Sequence, residues 1–399
     1  MPVLLWAWSI LVGLTLLVWS SRHILINVQK RRNDVLDPAS PGVEGPAPRL
    51  SVMVSAKDEQ DTIAACITSM LEQDYPNFEM IVCNDRSTDR TGDIVREMTA
   101  SDARLRLVEV TQLPEGWSGK CHGMYTAACA AGGDWLCLID ADCRQLSPRT
   151  LSVALRCAQD SGADLLSVLP VLEMKGFWEN VIQPVCSGVM MIWFNPDRVN
   201  NPAKSTAYAN GAFMLVRRSA YEAIGTHVAV KGRLMEDLHL AARIKQAGLK
   251  LKVVRSAGLY TVRMYTSLGQ ILRGWSRIFF GTFGTVPRLT ASMAIMFTMG
   301  LLPYISAVVG LTIGYGDGPH AGRWLTLGWI GAAAVLMQLG VIYRFYRLMG
   351  ARPGLAWTYP IGSIIVLWTL GLSMSKHRPG AKLTWRNTTY TGASQKTQG

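Results

Sequence analysis

Residues 3–18 are almost wholly apolar, and no charge interrupts the run until Arg22, with Lys30, Arg31 and Arg32 close behind. Counted on to Ser21, the run reaches the ~20 residues that a helix needs to cross a hydrocarbon core. A cleaved signal peptide carries positive charge before its apolar core and a small-residue cleavage site after it. Here the charge follows. The expectation is an uncleaved transmembrane anchor at residues 1–21, its N-terminus outside and the rest entering the cytoplasm.

The other end of the chain has the same texture. "LGQILRGWSRIFFGTFGTVPR" mixes basic residues with Trp and Phe, as an interfacial amphipathic helix does, and marks residues 266–288. A C-terminal membrane region follows at 289–375, with apolar segments at about 289–315, 324–343 and 355–374. The first would be about 40 Å long as a helix, which is one tilted or Pro303-kinked crossing. Arg344, Arg347 and Arg352 place the second connection in the cytoplasm. Four crossings would leave the polar tail, residues 376–399, outside, whereas the basic residues of "SKHRPGAKLTWRNTTY" argue for inside. A re-entrant segment among the three would reconcile the two. A multi-pass protein of the inner (cytoplasmic) membrane is the expected setting, and a net charge of +12 suits an anionic bilayer surface. A nucleic-acid partner is not expected, because the basic residues are scattered instead of forming a patch with interleaved aromatics. The eight cysteines show no CxxC or zinc-like spacing and read as reduced thiols in a cytosolic domain.

Between these ends lie a basic segment and Pro/Gly linker, residues 22–48, and a cytosolic domain, residues 49–265. In the latter, short apolar runs alternate with helix-period segments. Strands are expected at 50–55, 78–83, 105–110, 135–139, 164–169 and 212–216. Helices are expected at 62–72, 91–98, 121–131, 148–158 and 236–247. Such alternation implies an α/β fold with a mainly parallel sheet covered by helices, which binds ligands at the carboxyl ends of its strands.

Asp140 and Asp142 stand at one such end, directly after "LCLI". A lone DxD is most often a solvated turn. As a pair at a ligand edge, the two carboxylates suit Mg2+ or Mn2+, which protein carboxylates share with substrate phosphates. A diphosphate-bearing substrate is therefore expected. Asp85 follows "FEMIVCN" and can bond a base or ribose, while Thr88 or Asp89 can cap the next helix. Lys57, Asp58 and Glu59 end the first strand in the same way.

"VSAKDEQDTI", "NDRSTDRTGDIV", "GWSGKCHG", "DADC" and "LMEDLHLAARIKQAG" stand in an order that resembles family 2 glycosyltransferases over about residues 49–280. The resemblance implies a GT-A (nucleotide-diphospho-sugar transferase) fold, a sugar-nucleotide donor, a divalent metal and inversion at the anomeric carbon. It implies that Asp85 binds the nucleotide, with Lys57, Asp58 and Glu59 lining the uracil pocket and Lys120 near the nucleotide or its diphosphate. Asp140 and Asp142 would hold the metal, with Asp140 also on the nucleotide side. Asp237 would be the catalytic base, with Glu236 beside it. A helix N-terminus also favours acids, so these two gain weight only beside the other motifs.

On the acceptor and diphosphate side, Gly211 lets backbone approach the sugar. His227 is assigned either to the acceptor or to a surface role. Arg217 and Arg218 face phosphate or merely end a strand. The family's (Q/R)xxRW motif is altered to Gln270-Ile-Leu-Arg273-Gly-Trp275, which turns Trp275 by ~100° on a helix and leaves Arg273 for the diphosphate. "LPEGWSGK", "NGAFML" and "EDLHLAARIKQAGL" look most like hopanoid-associated and carotenoid- or ceramide-type lipid glycosyltransferases. A nucleotide-sugar donor, UDP-linked in the first instance, and a membrane-lipid hydroxyl acceptor are then implied. The competing readings are a polyprenyl-phosphate glycosyltransferase, a polysaccharide synthase, which usually keeps the intact motif, and a non-catalytic sugar-nucleotide-binding membrane protein.

Overall fold

The computed structural model describes residues 2–32, 35–378, 382–385 and 388–391. Much of the tail expected at 376–399 lies outside these. The chain opens with helix α1 (Pro2–Arg32) and the short strand β1 (Val35–Leu36). It then alternates through β2 (Leu50–Ala56), α2 (Ile63–Leu71), β3 (Phe78–Asp85), α3 (Thr91–Thr99), β4 (Leu105–Val110), α4 (Gly119–Ala130), β5 (Trp135–Ile139), β6 (Cys143–Gln145), α5 (Thr150–Asp160), β7 (Leu165–Leu169) and β8 (Val171–Leu172). Next come α6 (Phe177–Trp193), α7 (Pro196–Val199), β9 (Phe213–Arg217), α8 (Arg218–Ala223), a 3-10 turn (His227–Val230), α9 (Glu236–Gln246), β10 (Leu251–Ser256) and β11 (Tyr260–Val262). The C-terminal third holds α10 (Leu268–Phe283), α11 (Val286–Met296), a π-helical turn (Phe297–Leu301), α12 (Leu302–Gly314), α13 (Ala321–Leu348), a 3-10 turn (Pro353–Thr358) and α14 (Tyr359–Ser375).

These elements form two units. One is α/β and comprises Asn33–Glu173 and Phe194–Met264. Its eight-stranded sheet has the order β1-β10-β7-β9-β5-β2-β3-β4. Every pairing is parallel except those of β9, which runs antiparallel to both β5 and β7. The central strands are near-continuous apolar runs because both faces are covered by helices. Alternate residues serve opposite faces. Val52, Val54, Met80 and Val82 pack with Ile63, Ile67 and Met70 of α2, while Met53, Ile81 and Leu138 pack with Met124 and Ala127 of α4. The apolar runs expected as strands and the periodic segments expected as helices are these elements, displaced by at most two residues at their ends.

The other unit comprises Met1–Arg32, Met174–Trp193 and Tyr265–Arg378. It contains four helices long and apolar enough to cross a membrane: Val3–Asn27, Val286–Gly314, Ala321–Leu348 and Pro353–Ser375. It also holds α6, which the sequence places inside the cytosolic stretch 49–265. On α6, Val181, Ile182, Val185 and Val189 are buried, and so is a polar stripe of Glu179, Asn180, Gln183 and Ser187, while Phe177, Trp178, Met191 and Ile192 are exposed. A helix that hides its polar stripe and shows apolar side chains suits an apolar surround better than water.

α10 accounts for the altered motif. A Cβ on Gly274 would overlap Cζ, Cε2 and the hydroxyl oxygen of Tyr265, so only glycine admits that side chain. The Tyr265 hydroxyl accepts from Arg277 Nη2 (3.2 Å). Trp275 is buried in this unit with its ring 5.4 Å from that of Phe279. It is a packing residue of this unit. Arg273 also belongs to this unit, and Gln270 locks the start of α10 by accepting from the Thr266 backbone N–H and hydroxyl.

Candidate active site

The carboxyl ends of β5, β2 and β3 lie side by side in the sheet. They deliver Asp140, Lys57 and Asp85 to one rim. Because β9 is antiparallel, its first residue, Phe213, pairs with Ile139 at the end of β5. The preceding turn, residues 210–212, therefore reaches the same rim. Two helix N-termini supply the rest: α4 brings Lys120 and α9 brings Glu236 and Asp237.

Lys120 is the hub. Its Nζ lies 2.6 Å from Asp140 Oδ1 and 2.8 Å from Glu236 Oε1. Burial works against the ammonium, but Asp140, Glu236 and Asp237 together hold its pKa well above the usual lysine value. Its helix is capped by Ser118, whose Oγ accepts from Cys121 N (3.3 Å). Asp237 is gripped by backbone: Oδ2 accepts from Gly211 N (2.9 Å) and Oδ1 from Leu238 N (2.8 Å). Burial, then the charge of Glu236, pushes Asp237 up to about 7, against the pull of Lys120 and these two N–H groups. A Cβ on Gly211 would come within 2.9 Å of Lys120 Nζ and press the ammonium against its two carboxylate partners. Its turn is fixed by Asn210, whose N donates to Ser167 Oγ (2.9 Å) and whose Oδ1 accepts from Ala212 N (3.0 Å). Cys143 Sγ donates to the Ala212 carbonyl (3.1 Å) and Cys66 Sγ to that of Asp140 (3.7 Å), so buried thiols brace both turns.

Among the described residues, no group of three or more His, Cys, Asp or Glu is arranged to hold a metal unaided. Asp140 and Asp142, on one turn, offer only hard oxygen donors. That donor set fits a cation whose remaining ligands are phosphate oxygens and water.

Asp85 is buried, and both its oxygens are taken by Arg86, from Nε (2.7 Å) and Nη2 (3.0 Å). Arg86 was not singled out in the sequence. It has φ +53°, and no composition signal announces a left-handed arginine. Lys57 Nζ donates to the carbonyls of Asp85 (3.4 Å) and Arg86 (3.0 Å). Asp58 Oδ1 accepts from Thr88 N (2.8 Å), and Glu59 Oε2 from Thr62 Oγ1 (3.0 Å). These two carboxylates staple the loop. Just ahead of the next helix, whose N-cap position is Arg90, Asp89 Oδ1 accepts from Thr91 N (2.9 Å).

His227 does not face an acceptor and is not on the surface. It is fully buried, Nδ1 lies 2.7 Å from the Tyr221 hydroxyl, and burial pushes its pKa down to about 3. Arg217 pairs with Asp164 (3.7 Å) over the Trp135 ring, and Arg218 donates to the carbonyls of Gly133 and Ala131. Both end their strand structurally. Ser118 and Asn210 are positioning residues that sequence reasoning passed over. Ser118 was legible as a cap three residues before a helical run.

The family model for glycosyl transferase family 2 matches residues 51–225. The chain is 22% identical over 297 residues to 4,4'-diaponeurosporenoate glycosyltransferase of Staphylococcus haemolyticus, covering 73% of this chain and 74% of that protein. It is 30% identical over 228 residues to EpsE of Bacillus subtilis, covering 54% and 73% respectively. It is 26% identical over 186 residues to beta-monoglucosyldiacylglycerol synthase of a Nostoc species, covering 46% of this chain but only 38% of that protein. The fold is similar to that of the mannosyltransferase PcManGT from Pyrobaculum calidifontis, with a TM-score of 0.50 at 18% identity, covering 92% of this chain and 98% of that one. With the mainly parallel GT-A sheet and its one antiparallel strand already in place, these matches show that the chain belongs to glycosyl transferase family 2.

Proposed function

We propose that this chain transfers a sugar, with inversion, from a nucleotide-diphosphate donor to a hydroxyl group of a membrane lipid, the donor being a UDP-sugar in the first instance. The observation that carries the reading is the convergence of Lys120, Asp140, Glu236 and Asp237 at one rim. Two relatives named for carotenoid-type and diacylglycerol lipids support a lipid acceptor. The apolar helices support a membrane setting, which we take to be the cytoplasmic membrane with the site on its cytoplasmic face.

In the reaction, the acceptor oxygen attacks the anomeric carbon as the bond from that carbon to the diphosphate oxygen breaks. The hydroxyl proton passes to Asp237, whose carboxylate is aimed by Gly211 and Leu238. A pKa of about 7 makes it a base that works near neutrality. Lys120, already charged, faces the anion that leaves. Asp140 and Asp142 would hold Mg2+ or Mn2+, which supplies further positive charge to the diphosphate when bound. One base suffices, so no covalent nucleophile is required.

The test is radiolabelled donor and a lipid extract with purified protein and Mg2+ or Mn2+. Labelled lipid is expected, with a loss of about a hundredfold or more in Asp237→Asn and UDP binding retained. The rate should rise with pH through about 7, because only ionised Asp237 accepts a proton. Glu236→Gln should move that rise to lower pH by removing the neighbouring charge. No turnover of any nucleotide sugar would sink the proposal. Activity that survives Asp237→Asn would favour a phosphate acceptor, which needs no base.

A further inference from the structure

Length and composition single out four helices able to cross a membrane, the last being Pro353–Ser375. Their mutual contacts set that last one apart. α12 and α13 run antiparallel, so close that an added Cβ on Gly314 would meet Leu325, one on Gly310 would meet Gly328, and one on Gly331 would meet Ala307. The ladder continues with Gln338 Nε2 donating to the Met299 carbonyl (2.5 Å). α1 keeps step beside them. Trp8 Nε1 donates to Ser306 Oγ (2.8 Å), Trp19 Nε1 to the Met299 carbonyl (3.2 Å), and Arg344 Nη2 to Asn27 Oδ1 (2.5 Å). One end of this bundle therefore carries Gly314 and Leu325. The opposite end carries Asn27, Arg344 and, ahead of Met299 in the chain, Val286.

α14 begins part-way along the ladder. Tyr359 meets Trp19 edge-on at 6.3 Å, and Ser363 Oγ lies 2.8 Å from where a Cβ on Gly300 would stand. A crossing helix would run from there towards Gly314. Instead α14 packs along α11, and its end is tied to α10. Ser373 Oγ donates to the Ser276 carbonyl (2.9 Å) and Lys376 Nζ to Ser276 Oγ (2.7 Å). α10 precedes Val286, so α14 finishes at the end of the bundle where α13 also finished. The connection between them starts at that end, with Ala351 N donating to the Tyr346 carbonyl (2.9 Å). From the level of Asn27 to that of Trp19 the rise is about 12 Å at 1.5 Å per residue, under half of a ~30 Å core.

From this we infer that residues 349–375 form a re-entrant segment seated in one leaflet, so that the chain crosses the bilayer three times and its C-terminal tail emerges beside Val286 and Arg344. The occupant of the exposed face is lipid, in the headgroup and upper acyl layer of an anionic leaflet. Ile364 and Trp368 of α14 are 58% and 67% exposed, and Phe177 and Trp178 of α6 are exposed in the same unit. Tryptophan favours that boundary. Charge agrees: Arg277, Arg288, Arg344, Arg347, Arg352, Lys376 and Arg378 all fall at this end, whereas the connection 315–323 at the other end has Arg323 as its only Lys or Arg. Anionic headgroups attract such a cluster. The two apolar ends of the chain thus obey the positive-inside bias with three crossings, and would violate it with four.

The test is relative sidedness in the full-length protein. Asp317→Cys and Arg378→Cys, each in a Cys129→Ser background, are reacted with a membrane-impermeant maleimide in intact cells and in inverted membrane vesicles. The expected result is that the two cysteines label from opposite sides. Labelling of both from the same side would overturn the inference. If Arg378→Cys proves unreactive in both preparations, fluorescent-protein and alkaline-phosphatase fusions to the C-terminus decide the matter. Fluorescence without phosphatase activity is expected, and phosphatase activity overturns it. Neither readout depends on sugar transfer, so failure of the proposed reaction leaves it unaffected.

Discussion

Asp237 combines a useful proton affinity with a stability cost in one carboxylate. Its folded pKa of about 7 stands above its ordinary 3.8, owing first to burial and then to Glu236. Between those values the folded chain keeps a proton that the unfolded chain has lost. The stabilisation is full below about pH 3.8, declines as pH rises, and is gone above about 7. Asparagine keeps the shape and can still accept from Gly211 N, but it has no ionised form. Asp237→Asn in the nucleotide-free protein should therefore melt higher than the parent. The gap should widen by several °C from pH 5 to pH 8. Thermal melts at the two values check this, and a gap that narrows towards pH 8 would refute the buried-carboxylate account.

At this scale, a residue's type was legible and its partner was not. Lys120, Asp140, Glu236, Asp237 and Gly211 stand together where short motifs suggested. His227 went inside because Tyr221 offered its ring a hydroxyl away from water. Arg86 took the carboxylate of Asp85 through a backbone angle that no neighbouring residue type foretells.

At the scale of elements, α10 shows how one glycine sets a helix face. Gly274 separates Arg273 from Trp275 and leaves the space that the Tyr265 ring fills. Gly274→Ala would usually help a helix by about 1 kcal/mol. Here the methyl group would overlap the ring, and overpacking costs about 1–3 kcal/mol. A lower melting temperature in detergent is expected, and Tyr265→Ala in the same chain should recover part of it. A rise in melting temperature for Gly274→Ala alone would contradict the packing described. Strands and helices of the α/β unit were readable because each is a local period: apolar runs with both faces covered, and helices with one apolar stripe. β11 and α6 were harder. β11 has three residues, too few for a period, and the polar stripe of α6 (Glu179, Asn180, Gln183 and Ser187) is buried, so its pattern did not say which unit it joins.

At the scale of the whole molecule, the two units are threaded through one another in sequence. The α/β unit is interrupted by Met174–Trp193, which groups with the membrane helices. A chain restricted to residues 33–264, without α1, would keep α6 but lose α10 and α14, the helices it packs on. The buried apolar side chains Val181, Ile182, Val185 and Val189 would then face water. Such a truncation should sediment with membranes or aggregate without detergent, despite lacking every C-terminal span. Recovery of a soluble monomer would show that α6 does not depend on those helices.

Apolar runs, read in one dimension, were enough to determine long apolar helices towards both ends of the chain, an α/β domain between them and acids at its strand ends. Hydrophobic periodicity and the length of a span are local quantities, which any window of residues carries. Only the tertiary structure decided that β9 runs backwards to bring Gly211 against Asp237, that His227 and Trp275 are packing residues, and which end of the bundle α14 returns to. Those outcomes depend on contacts between residues tens to hundreds of positions apart, and the free energy of such contacts is settled when distant surfaces meet.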